Sequence, residues 1–494
     1  MTSVAERPGT RTYQQFIDGK WVDAASGETF QRISPYDGSV VATYPNSGIE
    51  DAQRAIEVAR RVFDEGKWAN SRAKDRARIL QKAAQLVMEN MEELATSIAT
   101  EVGKPKNMAM AEVAGTAEVF ELFAAKALEL KGDSFTQQIP DAIGLTVHEP
   151  VGVVGIITPW NFPLLLISWK VGPAIAAGCT MVAKPSHYTP GSTLILARIL
   201  SEAGLPDGVF NVVTSETDNG ALVGQHLAAS ELVDKIAFTG STASGKAVMR
   251  AAANNVKKVS LELGGKSPNI VFPDAQVDAA VAGAFFGIYL NSGQVCQAGS
   301  RLLVSNRIKD EFVEKLKNMG SSLKMGDPLD PATTMGPVIN ETQLQKIERY
   351  LEAGKKEAKL VTGGSRAVGD GLENGLFVQP TIFDDVSNNA TIAREEIFGP
   401  VLSVLSFDDI EDVIRTANDT MYGLAAAVWT KDINVALKVA KGLRAGTVWV
   451  NAYHGTGLYN MPYGGYKQSG LGRELGDMGL EEYLETKAIQ IKLH

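Results

Sequence analysis

Five short apolar runs punctuate the middle of the chain: VGVVGIIT (151–158), CTMVAK (179–184), VFNVV (209–213), DKIAFTG (234–240) and KKVSLEL (257–263). Each has the length of a strand, and the segments between them carry helical period, so a strand returns about every 25 residues. Successive strands that point the same way need a crossover of a dozen or more residues, usually a helix. The rhythm therefore predicts βαβ units and a doubly wound parallel sheet, an α/β fold. Gly178 and Gly204 stand where helix-ending glycines belong, because a residue without Cβ turns left-handed freely.

Upstream the period is helical: Ala52, Ala55, Ile56, Ala59, Val62 and Phe63 share one face, as do Leu80, Ala83, Ala84, Val87, Met91, Leu94 and Ile98. Downstream a second α/β series follows, with SPNIVF (267–272), RLLVSN (301–306), VLSVLSF (401–407), GLAAAVWT (423–430) and GTVWVN (446–451) as strand candidates. Residues 129–149 break the helical period, and TKAIQIKLH (486–494) alternates like an exposed strand whose edge needs cover.

The 494 residues suit about three domains at the usual domain size. A net charge of −9 without a basic run leaves no footprint for nucleic acid or an anionic membrane. The longest apolar stretches, such as 162–169, are too short to cross a bilayer, and the polar opening MTSVAERPGTRTYQQF has no signal-peptide core. Two cysteines and five histidines give neither a disulfide framework nor metal-ligand spacing. A cytoplasmic protein without a metal site is the expectation.

Several segments have chemical potential. FTGSTASGK (238–246) leaves a strand and opens a helix, where bare N–H groups favour a phosphate. Ala247 occupies the place where a nucleotide triphosphatase loop needs a hydroxyl for magnesium, so packing and dinucleotide binding both remain open. Cys296, in NSGQVCQAGSR (291–301), lies among small residues suited to a close backbone approach, whereas Cys179 reads as a core residue. Glu262 ends a strand ahead of two glycines, as either a working carboxylate or a paired one. Asn161, in TPWNFP (158–163), either points into the crevice at the strand ends or caps the next helix. Glu396, Phe398 and Pro400 in REEIFGPV, and Asn451, Gly464, Gly465 and Lys467 further on, have ordinary turn roles when taken singly.

Together and in order, TPWNFP, AKPS, FTGST, LELGGK, GQVCQAGSR, EEIFGPV and YGGYKQSGLGRE resemble the aldehyde dehydrogenase superfamily over nearly the whole chain. The resemblance implies a Rossmann-like cofactor-binding domain (1–127 and 151–262), a second α/β catalytic domain (263–476) and a small β oligomerisation segment (128–150 and 477–494). It implies Cys296 as nucleophile, Asn161 with the Cys296 N–H as oxyanion hole, Glu262 as general base, and Lys170 and Glu474 as a proton relay. Cofactor contacts are implied for Thr158, Pro159, Trp160, Lys184, Ser186, His187, Gly220, Gly240, Ser241, Gly245, Leu263, Gln343, Glu396 and Phe398. A substrate pocket is implied at Phe162, Trp169, Val295, Gly457 and Tyr463, an apolar lining suited to medium-sized aliphatic or aromatic aldehydes.

The implied chemistry is NAD- or NADP-dependent oxidation of an aldehyde through a cysteine thiohemiacetal and a thioester, in a homodimer or homotetramer. His187 stands where many members carry Glu, which removes a carboxylate that repels a 2′-phosphate; Lys184 or a protonated His187 would then favour NADP. TSETDNG (214–220) lacks the glycine-flanked turn of many relatives near the adenine. The rival readings are a catabolic semialdehyde dehydrogenase, including the coenzyme-A-acylating kind that typically lacks a glutamate at position 262, a cysteine hydrolase, and a cofactor-binding protein without catalysis.

Overall fold

The computed structural model describes residues 9–138, 140–454 and 457–494, without the side chains of 217–219. The first eight residues of the polar opening, on which the expectation of no signal peptide partly rests, lie outside that set.

The five apolar runs become five adjacent parallel strands, Val153–Ile157, Thr180–Lys184, Phe210–Val212, Lys235–Thr239 and Lys258–Glu262. All but the ends of the first and last are buried, as strands covered by helices on both faces must be. The order runs outward from Val153–Ile157 in both directions. Thr180–Lys184 lies on one side of it and Lys235–Thr239 on the other, so the chain reverses direction there and opens a crevice at the strands' carboxyl ends. Thr158 to Asn161 and Gly240 to Gly245 border that crevice.

Three further strands extend the sheet to eight. Gln15–Ile17 and Lys20–Val22 add an antiparallel hairpin beyond Phe210–Val212. Reading the first third as helical therefore misses them; three-residue strands are too short to display a period. Their turn was nonetheless signalled by Asp18-Gly19, both at positive φ (55° and 72°), the conformation that joins a two-residue hairpin. At the opposite edge Gly470–Leu471 pairs antiparallel with Lys258–Glu262, so a strand from beyond residue 262 completes the first sheet.

A seven-stranded sheet contains all five strands expected downstream, with Lys359–Thr362 and Thr381–Asp384 added at one edge. Residues 129–149 contribute Ser134–Phe135 and most of Ala142–Pro150, which pairs antiparallel with Leu484–Lys492 from Leu484 opposite Pro150 to Lys492 opposite Ala142. Leu484–Lys492 is the outer strand of this small sheet and is exposed from Glu485 onward.

The connection 263–267 leaves the carboxyl end of the first sheet and enters the amino end of Pro268–Val271 in the second. The segment before Arg301–Ser305, which carries Cys296, faces the same seam: a Cβ added at Gly265 would lie 2.5 Å from the Cys296 carbonyl oxygen. The helix Pro163–Ala177 ends at Gly178 with φ 97°, and Gly178 N–H donates to the Ala174 and Ile175 carbonyls. Gly178→Ala is expected to cost about 1–2 kcal/mol and to lower the melting temperature by a few degrees in a thermal melt; an unchanged or raised melting temperature contradicts the argument.

Candidate active site

The backbone before Cys296 is bent by three consecutive residues at positive φ: Asn291 (50°), Ser292 (56°) and Gly293 (74°). Non-glycine residues hold such angles only where the surroundings over-determine them. Ser292 Oγ donates to the Gly336 carbonyl (2.7 Å), Gln294 Nε2 donates to the Asn291 carbonyl (3.1 Å), and Gln294 Oε1 accepts from Ile339 N–H (2.9 Å). A Cβ at Gly293 would overlap the Gly399 carbonyl, which explains the glycine. Cys296 emerges partly buried, with its Sγ 3.6 Å from the Tyr463 hydroxyl. Cys179 is fully buried and its Sγ lies 3.4 Å from the Tyr483 carbonyl, the packing role read from its sequence context.

Asn161 is buried and its Nδ2 donates to the Gln294 carbonyl (3.0 Å), two residues before Cys296. A primary amide has a second N–H, which leaves one donor beyond this bond. Glu262 ends its strand opposite Gly470 and Thr239; it is 4 % exposed, and its Oε2 has no hydrogen-bond partner among the described residues. Glu474 is tied to Tyr463 by two backbone hydrogen bonds, accepts from Lys170 Nζ at 2.9 Å through Oε1, and leaves Oε2 without a partner. Gly464 borders the Glu262 carboxyl: a Cβ there would lie 2.8 Å from Oε1.

Burial drives the protonation states. It pushes the Cys296 thiol up to about 12; the Tyr463 hydroxyl opposes the shift and the Glu262 and Glu396 carboxyls add to it. Glu262 is raised well above the usual carboxylate range, first by burial and then by Glu474, against Lys170 and Arg473. Burial likewise raises Glu474 despite Lys170.

The segments expected to meet the cofactor follow the carboxyl ends of the first sheet. Thr239 ends a strand, Gly240 N–H is taken by the Glu262 carbonyl (3.0 Å), and Ser241 caps the helix Thr242–Ala252 by accepting from Ser244 N–H. Gly245 lets that helix rest on Leu263, whose N–H donates to the Ser469 carbonyl. The Thr158 and Thr239 hydroxyls are buried beside the crevice without partners among the described residues. Lys184 ends its strand with Nζ 3.3 Å from the Pro185 carbonyl and beside Gly220, and burial draws it down to about 8. Ser186 Oγ accepts from Tyr188 N–H.

His187 packs on Tyr188 with ring centroids 3.8 Å apart. Burial, then Lys184 and Arg32, hold the imidazole at about 4, so it is neutral near pH 7 and the expectation of a protonated His187 is corrected. Arg32 reaches that neighbourhood from the first sixty residues and carries no local signal of doing so. Glu396 Oε1 accepts from Gly265 N–H (3.0 Å), and a Cβ at Gly264 would overlap its other oxygen. Phe398, at φ 62°, meets Trp160 edge-on with centroids 5.4 Å apart, next to Pro159. Gln343 Nε2 donates to the Ile397 and Phe398 carbonyls, so its amide supports this loop.

On the other side of Cys296, Trp169 and Tyr463 meet edge-on at 4.9 Å, with Val295 buried and Phe162 at the start of the helix Pro163–Ala177. Gly457 has φ 63° and open space where a Cβ would stand. Asn451 and Lys467 are structural: Asn451 exchanges hydrogen bonds with Thr430, and Lys467 Nζ donates to the Asn418 and Thr420 carbonyls. Gly465 packs against Ser469.

Four buried residues at the site escaped sequence reading: Lys104, Glu112, Asn291 and Gln294. Lys104 Nζ donates to Glu112 Oε2 and to the Asn161 carbonyl (2.8 Å), and lies 3.8 Å from the Phe162 ring centroid. Lone lysines and glutamates in helical stretches ordinarily read as solvated, and no local signal marked this pair. Among the described residues, no group of three His, Cys, Asp or Glu is placed to hold a metal, and no helix is long and apolar enough to cross a membrane.

With the Cys296 pKa raised, the resting sulfur is a thiol below that value, and its thiolate fraction grows about tenfold per pH unit. The inactivation rate of the ligand-free protein by iodoacetamide is therefore expected to climb at about that slope from about pH 7 to about pH 10. A plateau at or below about pH 8 would show a thiolate already formed at rest.

Comparison with known proteins places this geometry. The model of the aldehyde dehydrogenase family matches residues 21–489. Betaine aldehyde dehydrogenase of Bacillus subtilis is 46% identical over 475 residues, covering 96% of each chain. The crystal structure of betaine aldehyde dehydrogenase from Staphylococcus aureus in complex with NAD+ superimposes with a TM-score of 0.94 at 43% identity, covering 97% of this chain and 95% of that one. The NAD-dependent aldehyde dehydrogenase of Sinorhizobium meliloti gives 0.95 at 44% identity, covering 98% and 95%. Matched over nearly its whole length in sequence and in fold, the chain belongs to the aldehyde dehydrogenase family.

Proposed function

We propose that this chain oxidises a medium-sized apolar or aromatic aldehyde to the carboxylic acid, with Cys296 as nucleophile, Asn161 as oxyanion donor and Glu262 as base. The observation that carries this reading is the meeting of a reactive-type thiol, a spare amide N–H and an unpartnered carboxyl oxygen at one dry seam. In this division of labour 1–127 with 151–262 hold the dinucleotide and contribute Asn161 and Glu262, 263–476 carry Cys296 and lend the strand Gly470–Leu471 to the first sheet, and 128–150 with 477–494 join subunits.

The crevice fits a dinucleotide. A capped helix N-terminus, two unpartnered threonine hydroxyls and a glycine cradle beneath Glu396 offer donors and close approach without a metal. Thr158, Pro159, Trp160, Gly240, Ser241, Gly245 and Leu263 would border the pyrophosphate and nicotinamide. Glu396 and Phe398, with Gln343 behind them, would hold the nicotinamide ribose, and Lys184, Ser186, His187 and Gly220 the adenosine side. When bound, the oxidised nicotinamide supplies the acceptor for the hydrogen and electron pair that leave the substrate carbon.

The side chains do the rest. Cys296 passes its proton to the Glu262 carboxylate, which hands it on before it acts on water, and the sulfur bonds to the carbonyl carbon while the π pair moves onto oxygen. The second Asn161 amide N–H and the Cys296 N–H receive that oxyanion; a neutral amide does so without a proton to lose. After oxidation the carbon is held as a thioester on Cys296. Glu262 takes a proton from water through its open oxygen, the hydroxyl adds to the thioester carbon, and collapse breaks the C–S bond. The acid leaves, and Lys170 with Glu474 offers the excess proton a path away from Glu262.

Glu262 in this position favours hydrolysis over transfer to coenzyme A, and the intact set disfavours a purely cofactor-binding role. Betaine aldehyde, suggested by the relatives' names, is the second substrate reading. Against it, the Phe162 ring already carries the Lys104 ammonium on one face, which weakens its attraction for a second cation. For the cofactor, NAD+ is used and NADP+ is also accepted, because Lys184 rather than a carboxylate stands by the adenosine side; His187, held neutral, adds no attraction. The open outer strand Leu484–Lys492 supports a homodimer or homotetramer, and two free cysteines fit a reducing cytoplasm.

The test is an aldehyde panel run with both cofactors. Hexanal and phenylacetaldehyde are expected to exceed acetaldehyde and betaine aldehyde in kcat/KM, with turnover on NADP+ measurable. A strong preference for betaine aldehyde or acetaldehyde overturns the substrate reading, and strict NAD+ use overturns the cofactor reading. Cys296→Ala is expected to abolish turnover, and Asn161→Ala to lower kcat by about 10² to 10³ while the protein stays folded. Native turnover in either variant removes that residue from the mechanism.

A further inference from the structure

Asn161 is useful as an oxyanion donor only if its amide is aimed, and among the described residues its side chain has a single bond to hold it, that to the Gln294 carbonyl. The backbone from its carbonyl through residue 165 is held by a charged pair. On the carbonyl side, the Asn161 oxygen accepts from Lys104 Nζ at 2.8 Å and from Asn291 Nδ2 at 3.1 Å. On the far side, Glu112 Oε1 accepts from the N–H groups of Leu164 (3.0 Å) and Leu165 (3.2 Å), the bare first turn of Pro163–Ala177. Lys104 and Glu112 bond to each other, and their side chains are 0 % and 1 % exposed.

We infer that the buried Lys104–Glu112 pair is a positioning device for the oxyanion donor, clamping the 161–165 backbone from both ends so that the Asn161 amide meets the substrate oxygen. The inference rests on the role proposed above for Asn161. An isolated buried ion pair is a poor way to gain stability, since desolvating two charges offsets most of their attraction. The value of this one lies in direction. The ammonium, held by Glu112 and resting on the Phe162 ring, cannot follow the Asn161 carbonyl if the peptide tips. Glu112 lies on Lys106–Leu128, so the clamp ties a helix of the first third to the loop that carries the site. Small errors in aim are costly in turnover because the transition-state hydrogen bond is short and directional.

Four variants test this: Lys104→Met, the charge-free Lys104→Met/Glu112→Leu, and each of these combined with Asn161→Ala. Replacing both charges with apolar groups keeps the site packed and avoids stranding one ion, so the double variant preserves a folded protein for measurement. Expected are a kcat lower by about 10- to 100-fold, with the dissociation constant for NADH, read by fluorescence, within about twofold of the parent. A structural defect would lower kcat in every background. A positioning defect requires that the same substitutions add little once Asn161 is alanine, because there is no amide left to aim.

Parental kcat in the folded charge-free variant overturns the proposal. So does a full multiplicative loss when it is combined with Asn161→Ala. If Asn161→Ala alone turns over at the native rate, the fault lies with the oxyanion assignment itself, and the two failures are told apart by that single variant.

Discussion

Burial along the seam between the two sheets sets the protonation of Cys296, Glu262, Glu474 and Lys184. Taking a charge out of water is unfavourable, so each group shifts toward its neutral form: the Cys296 thiol up to about 12, Glu262 and Glu474 upward, and Lys184 down to about 8. The same lack of water strengthens whatever dipoles are aimed into the seam. A neutral amide such as that of Asn161 gains most from this setting, since it is buried without the penalty of an ion and acts at full strength when charge develops beside it. Two pairs of buried charges beside the site are joined across elements, Lys170 with Glu474 and Lys104 with Glu112.

That seam exists because of how the sheets are joined. The carboxyl ends of the first sheet face the amino end of Pro268–Val271 in the second through five residues, 263–267, three of which are Leu263, Gly264 and Gly265. Side chains at 264 or 265 would collide with Glu396 or with the Cys296 carbonyl, so close approach of the two halves is written into glycine. Cys296 is delivered to the seam by a backbone bent at two non-glycine residues, a strain of about 1–2 kcal/mol each. The Ser292 hydroxyl donating to the Gly336 carbonyl and the Ile339 N–H donating to Gln294 Oε1 offset that strain. The nucleophile is thus held by the second sheet, the amide and the carboxylate by the first, and their meeting depends on the glycine link.

The central five strands were legible because parallel strands buried on both faces are apolar throughout, and their spacing leaves room only for crossover helices. The hairpin Gln15–Ile17 and Lys20–Val22 was not, since three residues do not make a period; only Asp18-Gly19 betrayed it. Thr381–Asp384 follows Gln379-Pro380, punctuation that reads as loop. Cys296, Glu262 and Asn161 were legible as an ordered set of motifs, whereas each alone had a plain structural explanation. Lys104 and Glu112 had no such aid, because their meaning lies in what the 158–165 loop does to them in space. The neutral state of His187 was equally hidden: it depends on burial and on Arg32, a residue distant in sequence.

The unpartnered oxygen of Glu262 ties these points together. A buried carboxyl with an open oxygen is unfavourable for folding alone, yet every neighbour leaves it open: Gly464 offers no side chain, Glu474 faces Lys170, and the Gly240 N–H is taken by the Glu262 backbone rather than its carboxyl. Burial raises its proton affinity most and Glu474 adds to it, while Lys170 and Arg473 oppose the shift. A group poised in this way gives and takes a proton with small changes around it, such as a water entering beside its free oxygen. Had Lys170 bonded to Glu262 directly, the carboxylate would be held ionised and occupied; by bonding to Glu474 instead, it acts on Glu262 only through space and leaves the reacting oxygen free.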